Sequence, residues 1–350
     1  MQEKSAQQEN TSKYINGFDW IRAFVSVAVV TWHMRTFGKS LLYTEEYTKF
    51  KINLTDVLNF HLVPVAVPVF LMISCYFVAR NQTDWPHLRQ RVWRLTLLVV
   101  FWTVMLSIWK GGYMELHKMI PSSFSDLFVT IFSANGEYYY FLVSLIMCIL
   151  IAFVFARLST RWNVIALILS IAWLFFMPQV VMVTHRTVLI AYWNPLNFLA
   201  YPFAAILIFR YQDRLLANGR STILSVAVLL AIGALFAWYE WTHYVQGIFL
   251  AEGVAFPLHT RASQIFLGAA IIVIGLWPWR TAPAVIRFMS KHSLALYVLH
   301  DFYRPIVLAN TPQMGLPVAV VHLGQLVAVV LLCYITSLVM TAFLKEYLLR

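Results

Sequence analysis

FDWIRAFVSVAVVTWHMRTF, residues 18–37, is the stretch whose reading decides the fold. Twenty residues of helix rise about 30 Å, the thickness of a bilayer's hydrocarbon core. Yet this apolar run carries Arg22 and His33. Ionisable groups inside a membrane span are costly to insert, and such residues default to a functional hypothesis. Eleven positions at about 100° each end some 20° past three full turns, so Arg22 and His33 share a helix face, roughly 16 Å apart along the axis. One cation then lies near a membrane surface and one imidazole deep inside. That pattern suits an elongated anionic ligand whose reactive end reaches the imidazole. The plainer alternative has Arg22 snorkelling and pairing with Asp19, three residues back, with His33 a buried packing residue.

The rest of the chain extends the membrane reading. Its 350 residues are 61% hydrophobic and 12% charged, with a mean hydropathy of +0.71. A soluble domain carries about 25% charged residues. Cys75, Cys148 and Cys333 are far apart in apolar runs, with no metal spacing and no disulfide framework. The polar first 17 residues and the long run after them suggest a retained span, with no cleaved leader. Nine further apolar runs follow, at about 60–79, 95–109, 138–156, 163–182, 195–209, 222–239, 262–278, 293–309 and 318–344. The expectation is an all-α, polytopic transmembrane helix bundle of about ten spans. Residues 1–17 form a cytoplasmic tail, 18–345 the membrane domain and 346–350 a second tail. Pro64 and Pro68 should kink the second span, which a membrane tolerates if neighbours satisfy the freed carbonyls.

Lys and Arg fix the orientation. With both termini cytoplasmic, the inner segments hold about twice as many as the outer ones, including Arg80, Arg89, Arg91 and Arg94 after span two. This satisfies the positive-inside rule. The net charge of +11 therefore has a topological explanation and calls for no nucleic acid.

Arg91 and Arg94, three apart, are neighbours on a helix face and can clamp phosphates with Arg22, because a guanidinium fork matches phosphate oxygens. Ordinary positive-inside charge explains them equally well. Trp85 and Trp93 suit interface anchors. In LALYVLHDFYRP, His300 can be a second base oriented by Asp301; alternatively the span is short and Asp301 and Arg304 already lie at the outer surface. Glu137, Glu240, Glu252, His259 and Arg261 fall at outer loop and helix ends, either holding a sugar acceptor or simply solvated. No Walker loop, GxGxxG, HExxH, CxxC or GxSxG is present.

Taken in order, these segments resemble the acyltransferase-3 family of integral membrane acyltransferases, the type that O-acetylates bacterial surface polysaccharides. Arg22 and His33 match its Arg-x10-His motif, and Arg91 and Arg94 its Arg-x-x-Arg motif. PVFLMISCYFVAR looks like its second span, with Ser74 kept and Cys75 where glycine is typical. EYYYFLVSL, with Glu137 and Tyr139, resembles its aromatic entry to a central span. SKHSLALYVLH resembles its late Ser-x-x-x-Tyr-x-x-His stretch, giving Ser293, Tyr297 and His300. The resemblance covers residues 14 to 345.

The resemblance implies a cytoplasmic acyl-CoA donor, most often acetyl-CoA, with no permanently bound cofactor and no metal. Arg22, Arg91 and Arg94 would hold its phosphates, helped by Asp19 paired to Arg22. His33 would act as general base on an acceptor hydroxyl or accept the acyl group transiently; both stay open. Ser74, Glu137, Tyr139, Arg261, Tyr297 and His300 are the supporting or acceptor-side candidates. Pro64, Pro68 and the tyrosines at 138–140 are expected to shape a passage between donor and acceptor. The acceptor would be a glycan or a lipid-linked sugar, the setting a bacterial inner membrane, and the neighbours membrane lipid and polysaccharide-synthesis machinery. The rivals are a polysaccharide or small-molecule exporter and a non-catalytic scaffold. Against export stands the lack of paired Gly/Pro-broken helices in two matching halves.

Overall fold

A computed structural model of the chain describes residues 14–34, 36–37, 54–113, 120–134, 139–245, 259–311 and 317–343. Among them every regular element is a helix. Those of eight residues or more are, in chain order, α1 (Asn16–Met34), α2 (Ala66–Arg80), α3 (Trp85–Gly111), α4 (Phe124–Ser133), α5 (Tyr140–Phe155), α6 (Thr160–Thr184), α7 (Ala200–Leu215), α8 (Gly219–Val245), α9 (Ala262–Leu276), α10 (Ala284–Lys291), α11 (Ser293–Asn310) and α12 (Val318–Phe343). Each expected apolar run is helical. Five stretches are long and apolar enough to cross a membrane by themselves: Leu58–Arg80, Trp85–Gly111, Thr160–Val181, Gly219–Thr242 and Val318–Ala342. The chain is thus an integral membrane protein whose described residues form helices and no strands.

Three elements differ from the sequence reading. The arginine-rich segment expected as a loop is the start of α3, which begins ten residues before its apolar run. The cause is local. Asp84 caps the helix by accepting from the His87 amide at 3.1 Å, and Pro86 occupies the first turn. Bonds from His87 also hold the exposed Asp84 carboxyl below the usual carboxylate range. Hydropathy marks where a helix meets lipid, not where it starts. The other two are α4 and α10, short helices where loops were expected. Ser123 caps α4 by accepting from the Asp126 amide at 3.1 Å. Pro283, which cannot continue a preceding helix, stands at the N-cap of α10.

The bundle is layered. α1 packs against α2, α9, α10, α11 and α12, and α2 against α1, α5, α7 and α9. In the most apolar 18-residue window of Leu58–Arg80, 72% of residues are buried, against 11% in that of Gly219–Thr242. Ile223, Leu224 and Leu235 on α8 face outward, as lipid-facing side chains must. α1 and α9 cross at Gly17 and Gly275, where a Cβ at Gly17 would overlap the Gly275 carbonyl oxygen. Small residues let helix backbones meet in membranes. Cys75 is fully buried in α2, with Cys148 of α5 as its neighbour.

Span two is broken as Pro64 requires. A π-helical turn, Leu58–Leu62, precedes the break, and α2 starts at Ala66. Proline has no N–H, so the Phe60 carbonyl, four residues back, loses its helical donor. Arg261 donates to that carbonyl, and the Gln264 amide donates to the His61 carbonyl at 3.0 Å.

Candidate active site

A cavity of about 480 Å³ lies among α1, α2, α3, α5, α10 and α11. Small-molecule sites span roughly 300–1,000 Å³. Five cations line it: Arg22 of α1, Arg91 and Arg94 of α3, and Arg287 and Lys291 of α10. Arg91 and Arg94 are one turn apart, as are Arg287 and Lys291, so each pair sits on a single face. Arg22 lies 5.6 Å from the Phe77 ring centroid. Asp19 is the one carboxylate among the lining residues. The expected Asp19–Arg22 ion pair does not form among the described residues. Instead Asp19 accepts from the Tyr14 hydroxyl at 2.5 Å and from Ser290 at 2.8 Å. Partial desolvation first, and the bond to Asp19 second, push the Tyr14 hydroxyl up to about 12, so it stays protonated and donates. Asp19 thereby fastens α10 and the segment before α1 to the cation cluster.

Ser74 joins the polar lining, while Phe70, Leu95, Phe141, Leu142, Leu145 and Leu294 supply apolar wall, with Tyr297 among them. His33 is not in the lining. Its ring lies 4.8 Å from that of His300, and His300 lies 6.2 Å from Tyr297. The imidazole pair therefore stands behind Tyr297. A carbonyl only accepts, so His300 Nδ1 is the donor in its 2.6 Å bond to the Tyr297 carbonyl. Neutral His300 then carries its lone pair on Nε2. Nε2 is 4.0 Å from Asp301, and Arg304 is 3.5 Å from the same carboxylate oxygen. Asp301 is 2% exposed and therefore enclosed by the protein. Tyr139 donates to the Val298 carbonyl at 2.9 Å and fixes the start of α5 against α11.

The residues expected at the outer loop ends divide. Glu137 and Glu252 lie outside the described residues. Glu240 and Arg261 are buried, not solvated. They pair at 3.4 Å, and Glu240 also accepts from the Ser263 amide at 2.8 Å and the Ser263 hydroxyl at 2.5 Å. Arg261 stacks 3.7 Å over the Phe60 ring. His259 meets the Tyr140 hydroxyl at 3.0 Å. Pro64 and Pro68 are not among the residues that line the cavity.

Sequence reasoning missed Tyr14, Arg287, Ser290 and Lys291 at the cavity. The i, i+4 spacing of Arg287 and Lys291 was a usable signal, hidden because α10 was taken for a loop. Ser290 gave none.

Fold and site together define an integral membrane protein that encloses its polar chemistry within a helical bundle. The family model Acyl_transf_3, described as an acyltransferase domain, matches residues 15–344. The chain belongs to this family and is a membrane acyltransferase. No curated protein and no solved structure matches it.

Proposed function

We propose that the protein transfers an acyl group, acetyl first among them, from cytoplasmic acyl-CoA to a hydroxyl of a surface or exopolysaccharide sugar in a bacterial inner membrane. One observation supports the donor reading most: five cations and one carboxylate surround a cavity whose Tyr297 wall backs onto the imidazoles of His33 and His300. Guanidinium groups bind phosphate oxygens in bidentate fashion. Arg22, Arg91 and Arg94 hold the donor's phosphates, and its pantetheine arm runs along the apolar wall towards Tyr297. His33 then takes the proton of the acceptor hydroxyl. The oxygen attacks the thioester carbonyl, the C–S bond breaks, and the CoA thiolate leaves and is protonated. The route through an acyl-His33 intermediate balances in the same way, in two steps. Only the acyl group crosses the membrane, because CoA is multiply charged.

Proteoliposomes of known orientation test this reading. Acetyl-CoA supplied on the cytoplasmic face should release free thiol when a polysaccharide acceptor is present on the other face. His33→Ala should abolish that release while CoA binding persists. A variant that works near the wild-type rate removes His33 from catalysis. Product seen only after permeabilisation defeats transfer across the membrane, and a wild-type protein that binds no CoA defeats the donor.

A further inference from the structure

Arg287 and Lys291 remain unused by that mechanism. They lie one turn apart on α10, both line the cavity, and both are solvent-exposed. α10 is followed directly by α11, which climbs from Ser293 past Tyr297 to His300. Seven residues of helix put His300 roughly 10 Å beyond Ser293. The α10 cations therefore sit at the end of the cavity remote from the imidazoles, at its solvent mouth. Ser290, between them in sequence, holds Asp19, which lies three residues further from His33 than Arg22 does. The cavity thus has two cationic walls. The α1–α3 wall, Arg22 with Arg91 and Arg94, is nearer the reactive end. The α10 wall is further out.

We propose that Arg287 and Lys291 form a separate subsite for a terminal phosphomonoester, the 3′-phosphate on the ribose of the donor. This rests on the acyl-CoA reading above and deepens it. Acyl-CoA has two anionic centres: a diphosphate next to the pantetheine arm, and a ribose phosphomonoester at the far end from the thioester. With the thioester directed to Tyr297, the diphosphate meets the α1–α3 wall and the phosphomonoester meets α10. A dianionic phosphomonoester suits an arginine and a lysine placed together, one a fork and one a mobile point charge. Asp19 repels phosphate from the space between the walls, so the two anionic centres are sorted.

The test compares binding of CoA and 3′-dephospho-CoA to the purified full-length protein. Hydrogen bonds to charged groups imply that wild type prefers CoA by roughly ten- to a hundred-fold. Arg287→Gln and Lys291→Ala should each cut that preference severalfold, and the double variant should bring it close to one. Arg287→Lys should keep most of it, a rescue that a purely structural role does not predict. Variants that weaken both ligands equally, or leave the preference intact, overturn the subsite while the donor reading stands. A wild-type protein that binds neither ligand overturns both.

Discussion

Arg261 and Arg22 are both arginines within the helical bundle, and their surroundings could hardly differ more. Around Arg261 the donors are spent inside the protein. A carboxylate, an aromatic face and a backbone carbonyl surround a side chain that is 0% exposed. Arg22 instead lines an open cavity with four other cations and a carboxylate already committed to Tyr14 and Ser290. Desolvated charge is tolerated only with partners of its own. The first arrangement completes a broken helix; in the function proposed above, the second receives the donor's phosphates. Burial and partner identity, not residue type, separate Arg261 from the arginine proposed to bind the donor.

The sharpest way to break this contrast is to remove Arg261. Deleting one member of a buried ion pair costs about 3–5 kcal/mol, so Arg261→Ala should lower the unfolding temperature markedly in detergent. Glu240→Gln added to it should recover part of the loss, since no lone carboxylate stays buried. An unchanged transition in Arg261→Ala would show that the Pro64 break supports itself. Next comes Arg22→Ala. Losing charge-assisted bonds worth about 1.5–3 kcal/mol should weaken CoA binding roughly ten- to a hundred-fold, with the unfolding temperature nearly unmoved. Normal affinity with lowered stability would make Arg22 structural like Arg261. The smallest effect belongs to Ser290→Ala. It removes one of the two hydrogen bonds that Asp19 accepts and should loosen α10, seen as faster amide exchange there. Exchange rates equal to wild type would show that Asp19 does not fasten α10.

Much of this was legible beforehand. The shared face of Arg22 and His33 follows from the helical repeat alone, and ten apolar runs gave ten helices. Pro64 announced a carbonyl in need of a donor. That the donor would be Arg261 was not legible, because the pairing joins residues far apart in the chain through tertiary packing. Hydropathy also misplaced the start of α3, since polar residues extend a helix beyond lipid as readily as apolar ones. The contact of His33 with His300 was invisible for the same reason as Arg261: no local pattern specifies which two helices touch.

The housing of α1 has a consequence for how the protein is made. This helix carries Asp19, Arg22 and His33 and is not among the stretches apolar enough to span a membrane alone. Its partners α9 to α12 are encoded from Ala262 onward. Synthesis at about 5–20 residues per second leaves α1 without them for on the order of 10–50 s. Through that interval the first helix to emerge must be sheltered at the insertion site, or wait in the bilayer with its polar face covered by α2 alone. Truncation after α8 should therefore yield a chain that the quality-control proteases recognise through α1.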